Sequence, residues 1–210
     1  MIEDIAPERV IAIVRTGDPD LAAPLAGAIV AGGITSIEVA LTTPHALRSI
    51  FELASRWTGR ACVGAGTVLT AEDSRSAIEA GARFLVGPDF SEGVLNQARG
   101  AGIPYIPGAL TPSEVRSILA AGVDVIKIFP AGRMGPQYIR DLRGPFPELR
   151  PVPTGGVDFS NALQFLKAGA VALGVGSLLT NHTGRSGLQG VTARTRRLRR
   201  LLSRGVELTA

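Results

Sequence analysis

ILAAGVDVIKIFPA, residues 118–131, carries one complete transition of this chain: a helical pattern stops at Gly122 and an apolar strand runs on to a proline. A glycine just past a helix supplies the left-handed turn that ends it. The same handover recurs along the sequence. Gly32, Gly59, Gly81, Gly102, Gly122, Gly144 and Gly169 close successive helical patterns at spacings of 27, 22, 21, 20, 22 and 25 residues. Five of them sit in Ala-Gly pairs that lead into a short apolar run (AGGI, AGAR, AGIP, AGVD, AGAV).

This period is one βα unit. Strands are expected at 10–14, 36–41, 61–66, 83–87, 103–107, 124–129, 150–154 and 171–176. Helix starts are marked by Asp18-Pro19, Thr43-Pro44, Thr70 with Asp73, Thr111-Pro112 with Glu114, and Asp158, which are N-cap residues followed by proline or an acid in the first turn. Continuous apolar strands alternating with helices imply a parallel sheet covered on both faces. Eight units in 210 residues predict an α/β fold, a single (β/α)8 TIM barrel over residues 1–210. An open doubly wound sheet is the competitor. It is disfavoured because VRTGDPD (14–20), rather than G-x-G-x-x-G, follows the first strand.

Composition narrows the chemistry. With 45% hydrophobic and 19% charged residues the chain is neither disordered nor fibrous. Cys62 is the only cysteine, which excludes an intramolecular disulfide. With His45 and His182 the only histidines, no Cys/His metal site can be assembled and a Ser-His-Asp triad is disfavoured. MIEDIAPER has no basic and apolar leader pattern, and no apolar run reaches the ~18 residues of a membrane span. A cytoplasmic protein with no membrane partner is expected.

The net charge of +4 does not mark a nucleic-acid-binding protein. Arg185, Arg194, Arg196, Arg197, Arg199, Arg200 and Arg204 fall in a segment without acids, so the rest of the chain sums to −3. Leu198, Leu201 and Leu202 share one helical face there, so an Arg-rich C-terminal helix around 186–204 is expected to cover the barrel or a subunit contact. Binding of an acidic partner by a non-catalytic barrel is the other reading of these arginines.

Only two of the 22 basic residues are lysines, Lys127 and Lys167. Lys167 closes a helical pattern before Gly169 and suits a solvated helix-end cation. Lys127 lies within a strand whose alternation puts Val125, Lys127 and Phe129 on one face and Ile126 and Ile128 on the other. With the isoleucines toward the helices, Lys127 points into the barrel. A buried ammonium is poorly solvated, which favours the free amine needed for imine chemistry, and a guanidinium cannot form a Schiff base. An ion-pairing lysine without chemistry is the alternative. Glu38 is the counterpart on the second strand, sharing its face with Ser36 and Ala40. Burial there should raise its pKa and suit it to general acid/base work, unless it only neutralises Lys127.

At the strand ends, where barrel chemistry sits, Arg15 offers a charge for a substrate anion, with a rim salt bridge as the alternative. The turns TGGV (154–157) and GVGS (174–177) expose backbone N–H groups after the seventh and eighth strands, where a phosphate often binds.

Together IAIVR (11–15), AGGITSIEVALTTP (31–44), VGAGTVLT (63–70), IPG (106–108), IKIFPA (126–131) and PTGGV (153–157) resemble the class I 2-keto-3-deoxy-6-phosphogluconate (KDPG) and 4-hydroxy-2-oxoglutarate (KHG) aldolase family, over nearly the whole chain. The resemblance implies Lys127 as the Schiff-base lysine and Glu38 as the general acid/base. It implies Arg15 and Thr67 near the keto acid, and Pro88 and Phe129 as pocket wall. Gly155, Gly156, Gly176 and Ser177 would form the phosphate end. It further implies a small 2-keto acid substrate, no metal or organic cofactor, and a homotrimer.

Thr42 stands where many relatives have an anion-binding arginine. Aldolases of 2-keto-3-deoxy-6-phosphogalactonate (KDPGal) share that absence and resemble KIFPAGRMGPQYI (127–139), so both substrates are open. A phosphosugar isomerase or synthase on the same barrel is the remaining enzymatic alternative.

Overall fold

A computed structural model describes residues 2–181 and 187–207. Arg185, His182 and Ser186, the first residue of the expected C-terminal helix, lie outside the described residues. The strands are β1 (Val10–Val14), β2 (Ser36–Ala40), β3 (Cys62–Gly66), β4 (Leu85–Val86), β5 (Tyr105–Ile106), β6 (Gly108–Ala109), β7 (Val125–Ile128), β8 (Arg150–Pro153) and β9 (Leu173–Val175). The helices are α1 (Ile2–Ile5), α2 (Ala22–Ala31), α3 (Ala46–Arg56), α4 (Ala71–Glu79), α5 (Glu92–Ala101), α6 (Pro112–Ala120), α7 (Ala131–Arg143), α8 (Ala162–Lys167), α9 (Ser177–Thr180) and α10 (Gly187–Glu207). Among the described residues no helix is long and apolar enough to cross a membrane.

All strand pairs are parallel, in a six-stranded sheet ordered β5-β4-β3-β2-β1-β9 and a three-stranded sheet ordered β6-β7-β8. The core resembles a (β/α)8 barrel, but its ladder is not the single closed ring expected from the eight-unit repeat. Prolines account for both interruptions, because proline brings no N–H to a ladder. Pro107 splits the expected fifth strand into β5 and β6. Pro151 and Pro153 remove donors from β8, whose link to β9 is reduced to the Thr154–Gly174 bridge and the bond from Val171 N–H to the Pro151 carbonyl, 3.0 Å.

The two-residue alternation sorts side chains into separate apolar layers. Ile37, Val39, Ile126 and Ile128 join the layer between sheet and helices, whereas Ile11, Phe84, Val125 and Val152 pack with Ile2 and Ile5 of α1 in the interior. Ile126 and Ile128 therefore face the helices, leaving Lys127 for the inside.

Local signals fixed some helix ends and not others. Thr70 with Asp73 and Thr111 with Glu114 form complete capping boxes at α4 and α6. Asp18 and Thr43 do not cap: α2 begins after Leu21, and α3 begins after His45 at φ 55°. The Thr43 hydroxyl is drawn instead into a tertiary contact, accepting from Thr16 N–H at 3.4 Å. The Asp158 carboxylate accepts from Ser160 N–H and Asn161 N–H, organising the turn ahead of α8.

Phe84 fills the interior without solvent exposure. Phe84→Ala is expected to lower the unfolding free energy by about 3–5 kcal/mol, and Thr111→Ala by about 1 kcal/mol. Urea unfolding followed by circular dichroism checks both.

Candidate active site

Above the apolar floor the same inward positions become polar. Going up β1, Ile11 belongs to the floor, while Ile13 and Arg15 line a cavity of ≈ 430 Å³. On β7, Val125 is floor and Lys127 cavity, and on β8 Val152 gives way to Thr154. The cavity brings together every residue assigned from the sequence: Lys127, Glu38, Arg15, Thr67, Pro88, Phe129, Gly155, Gly156, Gly176 and Ser177.

Glu38 and Lys127 are 2% and 5% exposed. Burial pushes the Glu38 carboxyl above the ordinary carboxylate range, and the Lys127 and Arg15 cations pull it the other way. The two catalytic candidates are not a contact ion pair: among the described residues no N···O approach within 4.0 Å joins them. Lys127 Nζ instead lies 5.2 Å from the centroid of the Phe129 ring.

The Glu38 carboxylate has a specific seat. A Cβ on Gly66, on the neighbouring strand, would fall 1.9 Å from Glu38 Oε1, so only a glycine leaves room for it. Gly174 similarly clears Thr154, whose Oγ1 would be 2.1 Å from an added Cβ. Beyond Thr154, Gly155 and Gly156 adopt φ of 82° and 77°, the left-handed region where a side chain is strained. This folds the turn back against Phe129 and Gly132.

Across the cavity Arg15 Nη2 donates to Thr67 Oγ1 at 3.0 Å. Thr67 itself holds φ at 58°, uncommon for a β-branched residue, and the Arg15 bond fixes its hydroxyl at the mouth. The rim salt bridge considered for Arg15 is absent among the described ion pairs. Thr42 is exposed and does not line the cavity, and Lys167 is exposed in the last turn of α8. Ile13 and Thr180 also line the cavity without having been singled out, and Thr154 and Val157 line it as the ends of the TGGV turn, given no role of their own from the sequence. Strand-end position and inward parity carried the signal for Ile13 and Thr154.

Among the described residues no group of three or more His, Cys, Asp or Glu side chains could hold a metal ion. What the arrangement offers is an amine, a carboxylate held above its usual range, and a guanidinium around one pocket. That is the equipment of a lysine-dependent lyase working through an imine. Residues 1–192 match the KDPG and KHG aldolase family, and the chain belongs to it.

Its relatives include the 2-dehydro-3-deoxy-6-phosphogalactonate aldolase of Escherichia coli K12, 34% identical with 80% of this chain and 82% of that one covered. The KHG/KDPG aldolase of the same organism is 38% identical, over 75% and 74% of the two chains. Among solved structures, the native KDPGal structure superimposes with a TM-score of 0.87 at 30% identity, covering 94% and 96% of the chains. The KDPG aldolase of Legionella pneumophila, with pyruvate captured as a covalent carbinolamine, gives 0.81 at 30% identity, over 92% and 94%. The protein is an aldehyde lyase.

Gly66→Ala is expected to displace the Glu38 carboxylate and lower kcat while the circular dichroism spectrum stays folded. The acid limb of kcat/KM is expected above the ordinary carboxylate range. Arg15→Gln should move it higher still, because removing a cation disfavours the ionised carboxylate. A pH–rate profile of both proteins checks the direction.

Proposed function

We propose that Lys127 forms the Schiff base and Glu38 moves the protons in cleavage of a 2-keto-3-deoxy-6-phospho sugar acid. The observation that carries this reading is the buried lysine on the inward face, sharing one cavity with a buried carboxylate that it does not contact. The neutral amine of Lys127 attacks the C2 ketone, and loss of water from the carbinolamine gives a protonated imine. Glu38, directly or through a water, takes the proton of the C4 hydroxyl. The C3–C4 bond breaks, its electron pair flows into the imine to give an enamine, and the aldehyde leaves. Protonation at C3 and hydrolysis then release pyruvate and regenerate the amine.

Arg15 and Thr67 hold the C1 carboxylate in this reading, Pro88 and Phe129 wall the pocket, and Gly155, Gly156, Gly176 and Ser177 offer backbone and hydroxyl donors to the phosphate. A KDPG-like substrate yields glyceraldehyde 3-phosphate beside pyruvate, and 4-hydroxy-2-oxoglutarate yields glyoxylate. The KDPGal-type relatives and the absent strand-two arginine keep KDPGal as the second reading. We also read the eight βα units as one barrel domain closed through Pro107 and the β8–β9 bridge, in a cytoplasmic homotrimer of the kind the family resemblance implies. Light scattering on a sizing column tests the trimer.

Borohydride reduction in the presence of pyruvate is expected to add the reduced adduct at Lys127, found by peptide mass mapping. An adduct at Lys167, or none, refutes the mechanism. Glu38→Gln is expected to lower kcat by about 10²–10⁴-fold. Cleavage of KDPG, KDPGal and 4-hydroxy-2-oxoglutarate should favour the phosphorylated compounds. A preference for the unphosphorylated one removes the role given to the glycine turns.

A further inference from the structure

The catalytic reading leaves the arginines of α10 unused. Val191, Thr195, Leu198 and Leu202 are buried on one face of this helix, which packs along α2. The other sides carry the cations, and these divide into two sets. Arg194 donates to the Leu179 carbonyl at 2.9 Å and Arg196 to the Ala31 carbonyl at 3.4 Å, while the Arg199 side chain packs over Gly33. These arginines are engaged in closing the ends of neighbouring elements.

Arg197, Arg200 and Arg204 form the second set, at the three- and four-residue spacings that align side chains on one helical stripe. They line an open groove of ≈ 500 Å³ with Ala193, Leu201, Phe159 from the turn between β8 and α8, and Arg196, whose Nη2 also reaches the Ala31 carbonyl. The Arg197 guanidinium stacks on the Phe159 ring at 4.2 Å from its centroid. That contact fixes its plane and leaves its N–H edge to a ligand. No described acid forms an ion pair with any of the three. The nearby Asp158 carboxylate is engaged by Ser160 and Asn161 within its own turn.

Four like charges line this one groove, counting Arg196, and they repel one another unless an anion joins them. Guanidinium forks match phosphate oxygens two at a time. The groove volume is that of a small-molecule site. A long polyanion is disfavoured, because beyond this arginine segment the chain carries a net −3 and would repel it. The groove shares no lining residue with the catalytic cavity.

We infer that the groove between Phe159 and the Arg197–Arg200–Arg204 stripe of α10 is a second anion site, taking a small molecule with two or more phosphate groups. Isothermal titration of the full-length protein with tripolyphosphate tests this, alongside three variants. The double variant Arg197→Gln/Arg200→Gln should weaken binding about tenfold or more, the loss expected for two charge-assisted contacts. Arg60→Gln/Arg116→Gln, with the same change in net charge at exposed sites elsewhere, should bind like the wild type, as should Arg15→Gln. Unchanged affinity in the α10 double variant overturns the inference. So does loss of binding in Arg15→Gln, which would put the anion in the catalytic cavity. A single-stranded oligonucleotide that binds much more tightly than tripolyphosphate would also overturn it, since the partner would then be a nucleic acid. The α10 substitutions lie outside the catalytic cavity, so aldol cleavage should persist in that variant. A failed Schiff-base trap would leave this test standing.

Discussion

The carboxylate of Glu38 occupies the space that a side chain on Gly66 would need, and much of the barrel's inner architecture is a condition for that contact. Glu38 pairs in register with Gly64, and its side chain leans along β3 toward Gly66. A one-residue slip of β2 against β3 would turn Glu38 toward the helices and place Ile37 and Val39 inside, exchanging a polar position for two apolar ones. Register, the glycine and the carboxylate therefore stand or fall together. The same pattern of a large group facing a glycine recurs where Thr154 meets Gly174.

The apolar floor gives this contact its electrostatic effect. Ile11, Phe84, Val125 and Val152, closed from below by Ile2 and Ile5, exclude water under Glu38 and Lys127. In such surroundings a carboxylate is poorly solvated, and cations that do not touch it still act on it strongly. Lys127 and Arg15 thus lower the cost of ionising Glu38 without satisfying it. With two cations and one carboxylate, the cavity has a positive balance suited to an anionic keto acid. In the proposed mechanism, a tight Lys127–Glu38 ion pair would have occupied the nucleophile and the base with each other.

What the sequence made legible was whatever depends on parity or on a few adjacent residues. The inward face of Lys127 follows from Ile126 and Ile128, and the capping boxes at Thr70 and Thr111 close within three residues. Features set by contacts across strands were not legible. Nothing near Gly66 tells that Glu38 will lie on it, because that depends on the register between β2 and β3. Thr43 reads as an N-cap until Thr16, far away in sequence, takes its hydroxyl. Proline had a readable consequence that the strand pattern hid: Pro107, Pro151 and Pro153 sit in apolar runs that alternate correctly, but each removes a ladder donor. Two sheets joined by a bridge result, where the repeat alone suggested one ring.

The preference for arginine over lysine also has a structural account. Carbonyls at the ends of elements are repeatedly met by guanidinium groups: Arg9 Nη2 donates to the Ala170 carbonyl and Arg99 Nη2 to that of Ala121, each at 2.6 Å, and Arg196 reaches Ala31. A βα repeat ends many helices near one another, and each leaves carbonyls without a partner in its last turn. A planar fork with five donors reaches such carbonyls from a neighbouring unit better than a single ammonium does. The architecture itself thus favours arginine at its surface. Among the described residues the one buried cation, Lys127, is instead a side chain whose nitrogen can lose a proton, as imine formation requires.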